Sequence, residues 1–312
     1  MTKNIVTGVD GNFGRIVADT IQSLIPKEDL LFTAPTSNKL EKFSEAGIAT
    51  ATADFNDVSG LASTFENADT VLLISMPFVG ERRRQAHKNV VDACVKANVK
   101  KIIYTSLVNA TDPMMPSIEK IDHAWTESYI ETTDLDYIFL RNSQYAEAMI
   151  TNYFAIAHSG VLANNQADGK MAYISREDCA IAAAHAISNP YLHHAILNIN
   201  GPEQLTISDL INIGNKITEN SVKYQEVSDD EQYAIFDKMG VPRTTEGEFK
   251  KGSSAPFSSE GMVTFGQSIR NGQMKIQSAD FQRIVGRKPH TVKYMFEHAD
   301  QYQIGERHSV DD

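Results

Sequence analysis

Three glycines in the pattern Gly8-x-x-Gly11-x-x-Gly14 follow a short apolar run ending at Ile5 and Val6, and an apolar helical pattern (Ile16, Val17, Thr20, Ile21, Leu24) starts at once behind them. A strand, a glycine turn and a helix in that order form the first unit of a dinucleotide fold. In such a unit Gly8 serves the tight turn and Gly11 lets backbone approach a pyrophosphate. Gly14 lets helix and strand close on each other, and the helix N-terminus offers N–H donors and the positive end of its dipole. Glycines alone also mark ordinary turns, so the order of elements around them carries the reading.

Strands and helices alternate through the first half, which predicts an α/β fold, a Rossmann-type doubly wound parallel sheet. Strands are expected over 30–33, 49–53, 70–75, 101–106 and 137–141, with helices over 39–46, 58–65, 81–97 and 117–132 between them. With 312 residues, 42% of them hydrophobic and 22% charged, the chain has material for one large or two modest folded units. The expected division is a dinucleotide-binding domain over 1–150, rejoined by 173–200, and a smaller, mostly helical substrate lobe over 151–172 and 201–312. In the second half the residues read as a turn cluster over 164–169 and a helix over 176–188. A returning strand over 195–199 and a helix capped by Thr206 follow, with short helices over 229–239, 278–285 and 289–298. Residues 248–261, rich in Gly, Ser and Lys, read as a surface loop, and 305–312 as a frayed end.

A net charge of −11 leaves no basic surplus for phosphate backbones, so nucleic acid is not expected as a partner. The run Arg82-Arg83-Arg84 reads as a solvated helix start. Cys94 and Cys179 sit in apolar helical patterns and read as small core residues. No apolar stretch approaches membrane-spanning length and the first strand begins almost at residue 1, so no membrane partner and a cytoplasmic location are expected. The chain is expected as a monomer or homodimer.

Ligands in this fold collect where strands end. Those ends here are Thr7–Gly14, Thr33–Lys39, Asp54–Phe55, Ser75–Pro77, Ser106 and Arg141–Tyr145, all small or polar after apolar runs. The glycine turn contributes Gly8, Asp10, Gly11, Asn12, Phe13 and Gly14. The segment after the second strand, Thr33-Ala-Pro-Thr-Ser-Asn-Lys39, carries no carboxylate for a ribose hydroxyl but does carry Thr36, Ser37 and Lys39 for a 2′-phosphate. NADP(H) is therefore favoured over NAD(H), while Ser37 also suits a helix cap. Asp54 can accept from an adenine amino group with Phe55 over the ring, or it can cap the next helix, as Asp57 also can.

None of the eleven tyrosines is followed by Lys four residues later, so the phenol–ammonium pair that protonates isolated ketones in short-chain dehydrogenases is absent. On the helix that would carry it, His123 and Glu127 stand at the same spacing, and Glu127 is placed to orient the imidazole or raise its pKa. An ordinary interhelical anchoring pair is the alternative. The other histidines, His185, His193 and His194 among them, read as surface, and Trp125 as core.

Several stretches together resemble the NmrA-like atypical short-chain dehydrogenases, within them the type 2 NAD(P)H:quinone oxidoreductase and triphenylmethane reductase branch. They are Thr7-Gly-Val-Asp-Gly-Asn-Phe-Gly14, Tyr104-Thr-Ser106, His123-x-x-Thr-Glu127, Tyr137-x-Phe-Leu-Arg-Asn-x-x-Tyr145, Tyr173-Ile-Ser-Arg-Glu-Asp-Cys-Ala180 and Gly286-Arg-Lys-Pro289. The resemblance spans nearly the whole chain. It implies NADPH in a cleft and hydride transfer to a quinone-like or other conjugated small-molecule acceptor. By the same resemblance Asn142 lies near the nicotinamide, Ser75, Met76 and Pro77 line its ribose, and Tyr145 borders the acceptor beside the loop after Ser106. Two departures stand out: Asp10 replaces the family's Thr or Ala, and the family's Arg after the second strand is missing. The fold also serves regulators, so a non-catalytic NADP-binding redox sensor acting through a protein partner is the alternative function.

Overall fold

The computed structural model describes residues 3–77, 79–157, 159–244 and 257–304. Seven parallel strands form one sheet in the order β3-β2-β1-β4-β5-β6-β8. They are β1 (Asn4–Val6), β2 (Leu30–Ala34), β3 (Ala49–Thr52), β4 (Thr70–Leu73), β5 (Lys101–Leu107), β6 (Asp136–Asn142) and β8 (Ala195–Ile199). Near-continuous apolar runs make such strands, because both faces are covered and successive side chains serve opposite layers. Ile5, Val71, Leu73, Ile102, Tyr104 and Phe139 enter one core, while Val6, Leu72, Ile103, Ile138 and Leu140 enter the other. The first layer is closed by α3 (Val58–Thr64), α4 (Glu81–Lys96) and α5 (Glu119–Glu131). The second is closed by α1 (Asn12–Ile21), α2 (Glu41–Glu45) and α7 (Arg176–Ser188).

A further core gathers α6 (Ala146–Ile156), β7 (Val161–Asn164), α8 (Ile207–Thr218), α10 (Ser259–Arg270) and α12 (Val292–Glu297) around Tyr153, Phe296 and Ile150. There β7 pairs in parallel with β9 (Lys223–Glu226), and α9 (Asp229–Lys238) and α11 (Asp280–Val285) complete the chain. Thr206 caps α8 in a full capping box with Asp209. The helix expected over 39–46 is a 3-10 turn, Ser37–Lys39, followed by the short α2. The elements α6, β7, β9 and α10 were not anticipated, and the start of α10 occupies the last residues of the stretch read as a loop. Residues 248–256 of that stretch, and the expected frayed end 305–312, lie outside the described residues.

The segment after β4 is held by buried side chains on three sides. Ser75 N–H donates to Thr105 Oγ1 (2.8 Å), Met76 N–H to His87 Nε2 (3.0 Å) and Gly80 N–H to Asp122 Oδ2 (2.6 Å). Because a backbone N–H can only donate, His87 Nε2 is the acceptor, and its Nδ1–H donates to Thr126 Oγ1 at 2.9 Å. The Thr126 hydroxyl in turn donates to the Asp122 carbonyl. His123 is fixed the same way: Arg83 Nη1 donates to its Nε2 (3.4 Å), so its Nδ1–H donates to Tyr104 Oη (2.8 Å). Arg83 is therefore buried rather than solvated, and Arg84 pairs with Asp122 (2.7 Å). His87, expected at the surface, is fully buried. Trp125 is half-buried and stacks on Tyr129 rather than entering the core.

Burial lowers both imidazole pKa values well below normal, and the Arg83 guanidinium lowers them further. The unfolded chain protonates these histidines near pH ~6.5 and the folded one does not, so their contribution is complete above that pH and is lost as pH falls below it. Between pH 7 and 5 each should remove up to about 1.4 kcal/mol of stability per pH unit. Urea titrations of the wild type and His123→Gln check this: the variant should show the shallower loss, and identical slopes would refute it. The glycines separate in the same assay. A Cβ on Gly14 would meet Gly8 O at 2.1 Å, so Gly14→Ala should cost about 3 kcal/mol. Gly8→Ala meets no atom within 4 Å but must keep φ at +63°, and should cost about 1–2 kcal/mol.

Candidate active site at the carboxyl ends of the strands

Because the strands of the main sheet are parallel, their carboxyl ends share one edge, and the glycine turn stands near its middle. Gly8 turns with positive φ, Gly11 N–H donates back to Gly8 O (3.1 Å), and α1 starts at Gly11 without a side-chain cap. Bare backbone and a helix N-terminus meet here, a combination that suits a diphosphate, and the Arg15 guanidinium reaches back to the Asp10 carbonyl (3.5 Å). Phe13 lies in the core, so any contact from it to a ligand would come through its backbone.

Beside the turn, a cavity of about 550 Å³ lies between the ends of β1 and β2, lined by Val9, Asp10, Arg15, Asn38, Lys39, Glu41, Lys42 and Glu45. Lys39 Nζ faces Asp10 Oδ2 at 3.8 Å. Ser37 is exposed and caps no helix with its side chain. At the next strand end Asp57 caps α3 by accepting from Gly60 N–H (3.0 Å). Asp54 is exposed and holds Asn56, while half-buried Phe55 packs against the α3–α4 layer.

Across the switch point, Ser75 and Met76 are half-buried on the pinned segment and Pro77 is exposed. Ser106 is buried and its hydroxyl donates to Glu127 Oε1 (2.6 Å). Glu127 also receives Arg141 Nε (2.9 Å) and Nη2 (2.5 Å), and Arg141 reaches Thr111 Oγ1 (3.2 Å). Glu127 and His123 therefore do not pair with each other. The carboxylate ties α5 to β6, and the imidazole is a neutral interior group held by Tyr104 and Arg83.

Asn142 ends β6 buried, and its Oδ1 has no hydrogen-bond partner among the described residues. Tyr145 follows at the start of α6, half-buried, with the Arg176 guanidinium over its ring at 5.9 Å. Burial raises the Tyr145 phenol far above its ordinary value, nearby Cys179 adds to that, and a hydrogen bond to Asn142 works against it. The phenol is protonated at neutral pH. Sequence reasoning missed His87, Thr105, Asp122 and Arg83, whose importance comes from contacts between elements that no local spacing encodes. The one local signal was the four-residue spacing of Arg83 and His87.

Residues 8–190 match the model of a family described as NAD(P)H-binding. Quinone oxidoreductase 2 of Escherichia coli is 31% identical over 238 residues, 76% of this chain and 82% of that protein. The crystal structure of the NADPH-dependent quinone oxidoreductase from Escherichia coli complexed with NADPH superposes with a TM-score of 0.84 at 26% identity, covering 95% of this chain and 99% of that one. That of the Citrobacter sp. triphenylmethane reductase complexed with NADP(H) superposes with a TM-score of 0.83 at 25% identity, covering 95% and 100%. The chain belongs to the NAD(P)H-binding family.

Proposed function

We propose that this protein is an NAD(P)H-dependent oxidoreductase that reduces a quinone or a similar conjugated small molecule, with NADPH as the favoured donor. The observation that carries the reading is the pairing of an uncapped glycine cradle with a buried, unsatisfied Asn142 amide oxygen across the switch point. A buried carbonyl oxygen without a donor is costly unless a ligand supplies one. The carboxamide N–H of a nicotinamide would do so while the cradle holds the diphosphate. Two relatives of known structure, one NADPH-dependent and one solved with NADP(H), favour NADPH as the donor.

When bound, the reduced nicotinamide supplies the hydride. The residues of the chain position and enclose it. The segment 75–77, held by Thr105 and His87, gives a rigid wall, and Asn142 sets the orientation of the ring. Tyr145 and the second core, gathered around Ile150, Tyr153 and Phe296, border the acceptor. No Tyr-x-x-x-Lys pair stands by, and His123 and Tyr104 are committed to each other in the interior. A quinone tolerates this, because its hydroquinone anion is stable enough for water to protonate, whereas an alkoxide needs an immediate donor.

NADPH and NADH oxidation over a panel of small quinones, dyes and enones should give saturable turnover with at least one acceptor. Tight NADPH binding with no turnover across the panel would overturn the enzymatic reading. Asn142→Ala should lower kcat/KM by about tenfold or more through a misoriented ring. An unchanged value would remove Asn142 from the site.

A further inference from the structure

The cavity at the ends of β1 and β2 contains a group that its cations do not account for. Asp10 is only 6% exposed, and its Oδ2 accepts no hydrogen bond among the described residues. Lys39 Nζ, at 3.8 Å, is in ion-pair range but beyond hydrogen-bonding distance. A buried carboxylate oxygen in this state is costly unless a ligand donates to it. In this fold the adenosine ribose lies between the first βα turn and the tip of the second strand, which is where the cavity stands. The cations Arg15, Lys39 and Lys42 are matched there by Asp10, Glu41 and Glu45, so a 2′-phosphate would meet no net positive surplus.

We propose that Asp10 sets the coenzyme choice of this protein. Its carboxylate accepts from the ribose 2′-hydroxyl of NADH, and it opposes a 2′-phosphate both directly and by holding Lys39. The result is a narrowed margin between NADPH and NADH. The proposal rests on the dinucleotide reading above and deepens it. It also explains how a site whose segment 33–39 at the tip of β2 has no carboxylate obtains one beside the ribose: the glycine turn supplies it from the neighbouring loop.

Calorimetric titration of the full chain with NADPH and with NADH, without acceptor, tests this. Asp10→Asn keeps the shape and removes the charge, and should move the ratio of the two Kd values about tenfold toward NADPH. Lys39→Met leaves the carboxylate unopposed and should move the ratio toward NADH. If Asp10→Asn binds both nucleotides with the wild-type ratio, the role of Asp10 is overturned while the cofactor reading stands. If the wild type binds neither nucleotide, the cofactor reading falls and this proposal with it. Should Asp10→Asn fail to fold, as judged by thermal melting, an unmoved ratio in Lys39→Met overturns the proposal instead.

Discussion

The first turn of α1 lies against the backbone of the turn that precedes it, and this close approach governs the rest of the molecule. Only the missing Cβ at residue 14 allows it, since any side chain there would run into the Gly8 carbonyl. The contact fixes where α1 leaves the sheet and aims its uncapped N-terminus along the carboxyl edge. It also brings Val17, Ala18 and Ile21 onto the sheet in the same layer as the alanines of α7. Small residues at Ala182, Ala183 and Ala186 let α7 sit close in that layer, so the packing of both helices follows from one glycine.

On the opposite face the interior is polar where a simpler core would be apolar. Two chains of buried donors and acceptors, Tyr104–His123–Arg83 and His87–Thr126–Asp122, lie side by side between β5, α4 and α5. Burying such groups is unfavourable without partners, and here two of the partners are the backbone N–H groups of Met76 and Gly80 in the segment after β4. The described residues of that segment form no helix or strand between β4 and α4. Its shape is determined by side chains reaching it from two helices and a strand, which explains how an irregular stretch can present a firm wall to a ligand.

The parallel sheet was legible in the sequence because long apolar runs alternating with helical patterns leave few other arrangements. Helix α7 and strand β8 fell at the expected residues. The second core was less legible: β7 and β9 are short, half-polar and joined across a long separation, so neither shows a periodicity. At the site, the glycine turn could be read from its spacing between an apolar strand and a helical pattern. The pairing of His123 with Glu127 could not, since helical spacing places both on one face without showing that Arg141 and Tyr104 approach from the sheet. Likewise a count of carboxylates after β2 misses Asp10, which reaches the same cavity from another loop.

Strand β8 bonds along the outer side of β6 from Ile138 to Asn142, although it arrives more than fifty residues later in the chain. Until residues 195–199 have emerged from the ribosome, β6 presents a bare row of N–H and C=O groups with apolar flanks, the kind of edge that recruits strands from other chains. The first half of the protein is thus a poor candidate for a stand-alone nucleotide-binding module. A protein cut after α6 would carry the complete glycine cradle together with an adhesive border.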